Sequence, residues 1–247
     1  MTLALLGALL IGLSLGLLGS GGSILTVPVL VYLLGEYPKQ AIAESLLIVG
    51  GIALLGAIPY ALRGLVDWRN ILFFGLPGMA GTYLGAWLSQ FVSGQVQLLT
   101  FALVMILAAY FMARPTPLRP TQKRQAWKIV LEGTAVGALT GFVGVGGGFL
   151  IVPALVLLGG LPMHLAVGTS LLIIALKSFA GFYKYLHLLP AQGLSVNFTV
   201  AGLFVLVGAL GSLLGGRVAV RLPHEALKRG FALFLVVMGV YIVAQNL

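Results

Sequence analysis

The chain has 247 residues, 60% of them hydrophobic and only 8% charged, with 14 Lys+Arg against 5 Asp+Glu. Soluble domains carry roughly a quarter charged and just under half apolar residues, and one core cannot hide this much apolar side chain from water. The composition excludes an ordinary soluble enzyme, a disordered chain and a nucleic-acid binder, and it defines a membrane protein. The formal charge of +9 is not a patch for an acidic partner. Five basic residues fall between Arg114 and Lys128, and the others mostly border apolar runs, as the positive-inside bias produces. No nucleic-acid partner is expected. Cysteine is absent, which excludes disulfides, thiol chemistry and Cys-based metal sites.

A helical bilayer span needs about 20 mostly apolar residues. The apolar N-terminal stretch lacks a basic leader and a small-residue cleavage site, so it reads as mature structure rather than a signal peptide. In chain order, an apolar stretch at 2–35 is broken at Gly19-Ser20-Gly21-Gly22-Ser23, and spans follow at 41–61, 70–92 and 97–113. The polar segment 114–128 contains Pro115, Pro117 and Pro120, which disfavour helix and mark a connector. A second apolar stretch, 129–158, is broken at Gly144-Val145-Gly146-Gly147-Gly148, before spans at 164–185, 197–218 and 229–246. The expected units are a first membrane repeat at 1–113, a cytoplasmic connector at 114–128 and a second repeat at 129–247.

The two halves are related. A shift of 125 positions lays Gly12–Tyr60 on Gly137–Tyr185 without a gap and with 19 identities in 49 positions. The matches include Gly19/Gly144, Pro28/Pro153, Ser45/Ser170 and Tyr60/Tyr185. Further on the offset becomes 130, pairing Gly81 and Gly85 with Gly211 and Gly215. Repeats with interrupted apolar segments at matching positions point to a secondary transporter.

Charge predicts that the repeats are inverted. Arg63 and Arg69 follow the span 41–61, whereas the turn near 92–97 is uncharged. In the second half Arg217, Arg221, Lys228 and Arg229 mark the later turn, while 186–196 has no Lys or Arg. Equivalent loops therefore exchange basic character. Inversion needs an odd number of crossings per repeat, so each broken stretch is expected to form a hairpin ahead of three spans. Eight simple spans are the alternative. The fold class is thus an all-α polytopic membrane protein of two inverted-topology repeats, each a glycine-broken helical hairpin plus three transmembrane helices, with both termini outside.

The breaks are the candidate site. Irregular backbone at membrane depth must lie within protein or line a wet cavity. A short helix is expected to start after each break, presenting unpaired N–H groups and a positive dipole end. Glycine lets that backbone approach a ligand closely. Ser20, Gly21, Gly22, Ser23, Gly146, Gly147 and Gly148 are therefore candidate anion binders. Tight helix packing is the competing role for such glycines, and it is the expected one for the Gly12/Gly16, Gly81/Gly85, Gly137/Gly141 and Gly211/Gly215 pairs.

The segments Gly16-Leu-Leu-Gly-Ser-Gly-Gly-Ser-Ile-Leu-Thr-Val-Pro28 and Gly141-Phe-Val-Gly-Val-Gly-Gly-Gly-Phe-Leu-Ile-Val-Pro153 resemble the duplicated signature of the TauE/SafE family of sulfite exporters. Ala166-Val-Gly-Thr-Ser-Leu171 is also similar to that family's pattern, and the likeness covers essentially the whole chain. The resemblance implies a transporter of small sulfur-containing anions, such as sulfite, sulfonates or thiosulfate, in the cytoplasmic membrane.

Other polar residues carry separate expectations. Lys177 lies midway along a span, where a charge is costly unless it serves a pathway or a counter-ion. It is assigned to the anion path, with snorkelling to an interface as the alternative. The hydroxyls of Ser45, Thr169 and Ser170 either donate to an oxyanion or bond back to their own helix. Glu44, beside Ser45, is a candidate for proton coupling or simply a helix-start residue. His164, His187 and His224 lack metal-ligand spacing and read as interfacial. Trp68, Tyr32, Tyr37, Tyr183 and Tyr185 read as headgroup anchors. Gly12-Leu-Ser14-Leu-Gly16 has the form of a nucleophile elbow, but it lies in an apolar helix without a histidine partner.

The sequence therefore predicts a multi-pass transporter of the cytoplasmic membrane that exports sulfite or organosulfonate by alternating access. No enzymatic activity, cofactor or metal is expected. The partners are a small anion and the lipid bilayer, and leftover small-residue faces allow a homodimer. The alternatives are transport of another small organic anion or metabolite, an intramembrane enzyme, or a scaffold without a substrate.

Overall fold

The computed structural model describes residues 2–19, 21–113, 125–143 and 148–246, and the described regular structure is entirely helical. The first half contains α1 (Thr2–Leu18), α2 (Gly21–Pro28), α3 (Pro38–Leu62), α4 (Trp68–Asn70), α5 (Leu76–Leu88) and α6 (Gly94–Ala113). The second contains α7 (Ala126–Val143), α8 (Gly148–Pro153), α9 (Met163–Leu188), α10 (Phe198–Ala219) and α11 (His224–Asn246). Among the described residues, six helices are long and apolar enough to cross a membrane: Pro38–Leu62, Trp68–Phe91, Gly94–Phe111, Ala126–Val143, Met163–Leu188 and Phe198–Ala219. Helix α7 starts at Ala126, so the last three residues of the expected connector are already helical. Residues 114–124 of that connector lie outside the described residues.

Local chemistry sets the boundaries. Gly19 takes φ 73°, a left-handed conformation that ends α1 and is inexpensive only for glycine. Pro28 and Pro153 close α2 and α8, and wide π-helical turns follow at Val29–Leu33 and Ala154–Leu158. Proline has no N–H for the preceding turn, so a change of helical pitch there has a cause in the sequence. Asp67 and Asn197 cap equivalent starts by accepting the N–H of Asn70 and Val200.

Packing is reciprocal between the halves. Gly12 and Gly16 of α1 lie against the backbone of Gly208 and Ser212 of α10, while Gly211 and Gly215 lie against Leu9 and Leu13. In the equivalent interface Gly137 and Gly141 of α7 meet Gly78 and Thr82 of α5, and Gly81 and Gly85 meet Thr134 and Ala138. Residue numbers rise together in both interfaces, so each pair of helices is parallel. The four small-xxx-small pairs thus mate across the halves, where small residues let backbones touch without a hydrophobic driving force.

Helices α3 and α9 cross differently. Leu46 meets Gly181, Gly50 meets Ser178, and Tyr60 meets Gly168, so one numbering rises as the other falls. These equivalent helices are antiparallel. Within the first broken stretch, Gly22 packs on Ile11 and Leu15 while Val29 packs on Gly7, so α1 and the arm beginning with α2 also run antiparallel. Outward-facing Leu3, Leu6 and Leu10 on α1, and Leu206, Leu210 and Leu214 on α10, are exposed. In a bilayer these positions face lipid.

One expectation is corrected by the packing. Tyr185 is no headgroup anchor: it is buried, and its hydroxyl donates to Gly141 O at 3.3 Å. Its repeat partner Tyr60 does the same to Gly16 O at 3.1 Å. Each hydroxyl satisfies a carbonyl on the helix just before a break, which a residue chosen only for its nearness to a span end would not do. Tyr37, Tyr183 and Trp68 are exposed, whereas Tyr32 is half-buried with its ring edge-on to Tyr241 at 5.7 Å.

Candidate functional site

The first break sits against the start of α9. Ser170 Oγ donates to Gly19 O at 3.0 Å and lies 2.8 Å from Val167 O of its own helix. Both roles expected for this hydroxyl, joining the break and bonding back, are thus combined. Ser45, its repeat partner, is buried and donates to Ile42 O at 2.8 Å. Gly22 has no room for a Cβ because the Ile11 carbonyl and Leu15 fill that space. Gly21 opens α2 and Gly148 opens α8, and those two short helices touch one another. Ser23 is buried. Ser20, Gly146 and Gly147 lie outside the described residues.

Thr169 and Glu44 occupy equivalent positions and do equivalent work. Thr169 Oγ1 accepts the Asp67 N–H at 2.8 Å, and Glu44 Oε1 accepts the Asn197 N–H at 2.6 Å. Each anchors the cap residue of the span packed beside it. Glu44 exceeds that role, because it is 0% exposed and its Oε2 is buried without a hydrogen-bond partner. Gln40 Nε2 adds a second donor to Oε1 at 3.2 Å. Glu36, on the turn before α3, also has a buried Oε2 without a partner. Burial and the adjoining Glu44 carboxyl push Glu36 up to about 8, from an ordinary value of 4.5.

Lys177 is 0% exposed. Its ammonium donates to Gly133 O on α7 at 3.3 Å and lies 4.6 Å from the centre of the Phe74 ring. Its stem runs over Gly78 of α5. Among the described residues it has no carboxylate partner, so a buried cation is left with one backbone carbonyl and one aromatic face. It lies two helical turns from Ser170 and turns toward α5 and α7. The described structure therefore joins Ser170 to the first break and directs Lys177, Thr169 and Glu44 to other partners.

Lys39 and Gln97 were not singled out from sequence, and His164 was read only as interfacial. Lys39 Nζ and His164 Nε2 are repeat partners, lying 3.3 Å from Ser89 O and 3.1 Å from Ala219 O, which are themselves repeat partners. Gln97 Nε2 donates to Tyr185 Oη at 2.9 Å. The signal for most of these was the double offset itself: polar residues at 125- or 130-residue separations, such as Asp67 and Asn197, hold corresponding backbone groups.

The described residues thus define a polytopic helical membrane protein with reciprocal glycine interfaces and a buried lysine. Residues 4–242 match the family described as "Sulfite exporter TauE/SafE", and the chain belongs to that family. It is 36% identical over 246 residues to a "Probable membrane transporter protein" of Xylella fastidiosa, covering 96% of this chain and 92% of the relative. It is 27% identical over 258 residues to the "Probable membrane transporter protein YunE" of Bacillus subtilis, covering 94% and 93% of the two chains. A Haemophilus influenzae "Probable membrane transporter protein" is 26% identical over 257 residues, with 96% of each chain covered. No solved structure matches the chain. The protein is a transporter of the cell membrane rather than an enzyme.

Proposed function

We propose that this transporter exports small sulfur-containing anions, sulfite or an organosulfonate, by alternating access between two inverted repeats. The observation that carries the reading is the antiparallel crossing of the equivalent helices α3 and α9 beside reciprocal α1–α10 and α7–α5 interfaces. Two equivalent helices that pack antiparallel are related by an axis perpendicular to them. In a bilayer such an axis lies in the membrane plane and inverts the halves. The antiparallel arms of the first broken stretch support the hairpin form of each repeat. The proposed division is membrane units at 1–113 and 129–247 around a cytoplasmic connector at 114–128, whose last three residues already belong to α7.

In this reading the anion occupies the space between the breaks. The residues assigned to it are the backbone N–H groups of Gly21, Gly22, Ser23 and Gly148 with the Ser45 and Ser170 hydroxyls; Ser20, Gly146 and Gly147, outside the described residues, are assigned from sequence, and Thr169 would have to leave the Asp67 N–H to join them. Contact between α2 and α8 supports bringing the two broken segments together. Lys177 supplies positive charge deeper in the path, and Glu44, with Glu36 beside it, couples a proton. In a homodimer, Gly202 of α10 and Gly230 of α11 are small positions with open space around them.

The test is uptake into proteoliposomes with a panel of sulfur oxyanions and organosulfonates, with and without an imposed pH gradient. Sulfite or sulfonate uptake that rises with the gradient supports the reading. Transport only of unrelated metabolites sinks the substrate assignment. Because the chain has no cysteine, single cysteines placed at residues 64 and 193 report orientation directly. Labelling of both from the same side would reject the inverted topology.

A further inference from the structure

Beyond the breaks, one corner of the molecule combines a void, two cations and a buried hydroxyl. Helices α3 and α10 end side by side there. A cleft of about 130 Å³ is lined by Gly56, Tyr60, Arg63, Ser212, Gly216 and Arg217. Arg63 caps the C-terminal end of α3, and Arg217 lies in the last turn of α10. Ser212 is 1% exposed, and its Oγ has no hydrogen-bond partner. Neither arginine has a carboxylate partner among the described residues.

Topology and helix dipoles alone account for arginines at these two helix ends. They do not account for the void or for the unpaired hydroxyl. The equivalent corner of the other half isolates the difference. Leu188 stands where Arg63 is, Trp87 where Arg217 is, and Ala86 where Gly216 is. Thr82, equivalent to Ser212, donates to Gly78 O at 2.8 Å, and Lys184 lies 5.3 Å from the centre of the Tyr83 ring. The same backbone thus carries a satisfied hydroxyl and neither arginine in one half, and an unpaired hydroxyl beside two arginines and a cleft in the other.

We propose that this cleft is an oxyanion-binding site at the membrane face carrying Arg63 and Arg217, holding one small oxyanion before it enters the path between the breaks. The guanidinium groups bind two oxygens in fork geometry, and Ser212 donates to another. Tyr60 lines the cleft while its hydroxyl is held by Gly16 O, three residues before Gly19, so the site adjoins the first break. The inference rests on the anion-transport reading for its role, but not for its chemistry. A free oxyanion and the phosphate of a lipid headgroup offer the same acceptors.

The experiment uses the full chain in nanodiscs, with sulfite as the soluble probe and phosphatidylglycerol as the lipid probe. Arg63→Gln and Arg217→Gln are each expected to weaken sulfite binding about tenfold, the loss of one charge-assisted contact. Ser212→Ala produces a smaller loss, and Lys184→Gln at the equivalent corner leaves binding unchanged. Native mass spectrometry reads the lipid arm: phosphatidylglycerol retained by the wild type and lost from the arginine variants assigns the site to a headgroup. Unchanged sulfite affinity together with unchanged lipid retention, in variants with wild-type melting temperatures, overturns the proposal. If the wild type moves no sulfur oxyanion while the arginine variants still lose sulfite binding, the transport reading fails and the site stands. If the wild type transports sulfite and the variants keep its KM and affinity, the site fails and the transport reading stands.

Discussion

Glu44 accepts the backbone N–H of Asn197 at 2.6 Å, the position at which Thr169 in the other half accepts that of Asp67. A hydroxyl suffices for the structural task, as Thr169 demonstrates. The carboxylate therefore brings something further, a second buried oxygen without a partner. Glu44→Thr is expected to retain the fold and to abolish the response of transport to an imposed pH gradient. Glu44→Ala additionally leaves the Asn197 N–H unpaired and should cost about 1–3 kcal/mol. Thermal unfolding in detergent and gradient-driven uptake separate the two effects. Full gradient dependence in Glu44→Thr would remove this residue from proton coupling.

Glu36 gives the pair its pH signature. Its carboxyl is raised from 4.5 to about 8 by burial and by Glu44. Between those values the folded protein holds a proton that an unfolded chain has released, so the native state binds more protons. The corresponding stability is complete below pH 4.5 and is lost as pH rises through 8. Melting temperature should therefore fall as pH rises from about 4.5 to about 8 in the wild type and flatten over that range in Glu36→Gln. Parallel curves for the two proteins would contradict the assignment.

The membrane class and the helix-packing glycines were legible because each rests on spacing that survives folding. Gly12 and Gly16 could be assigned to a crossing from their separation alone, although the mating helix, α10, could not. The destinations of side chains were less legible. Tyr185 lies near a span end in sequence, but burial turns its hydroxyl onto Gly141 O. Lys177 was recognisable as a costly charge, yet only the three-helix contact reveals that it points to Gly133 rather than to the break beside Ser170. Linear position fixes depth along a helix, while the neighbours fix which face is inside.

The reciprocal interfaces make a sharp stability prediction. A Cβ on Gly12 would collide with the Gly208 backbone, and one on Gly137 with the Gly78 backbone. Backbone cannot yield as a flexible side chain does, so Gly12→Val and Gly137→Val should each cost at least about 1–3 kcal/mol. Gly202→Ala, with nothing within 4 Å of its Cβ, should leave the melting temperature unchanged or slightly raised. Equal tolerance at all three positions would mean that the α1–α10 and α7–α5 contacts do not hold the halves together.

Lys177 and Ile52 fill matching slots, and that equivalence separates structural from functional charge. Ile52 packs against Gly208, as Lys177 packs against Gly78. An apolar side chain is therefore sufficient to close this three-helix junction. Removing an unpaired buried cation also removes its desolvation cost, provided that a side chain of similar volume remains. Lys177→Met should accordingly unfold at the same temperature as the wild type or higher. If the charge serves the anion path, its transport should fall about tenfold or more, the effect of losing one charge-assisted contact. Lys177→Arg retains the charge but enlarges the head group beside Gly78, so it should lose stability while keeping a larger share of transport than Lys177→Met. Proteoliposome uptake and thermal unfolding of both variants decide the matter. Wild-type transport by Lys177→Met would leave the lysine as a cost to folding with no part in anion movement.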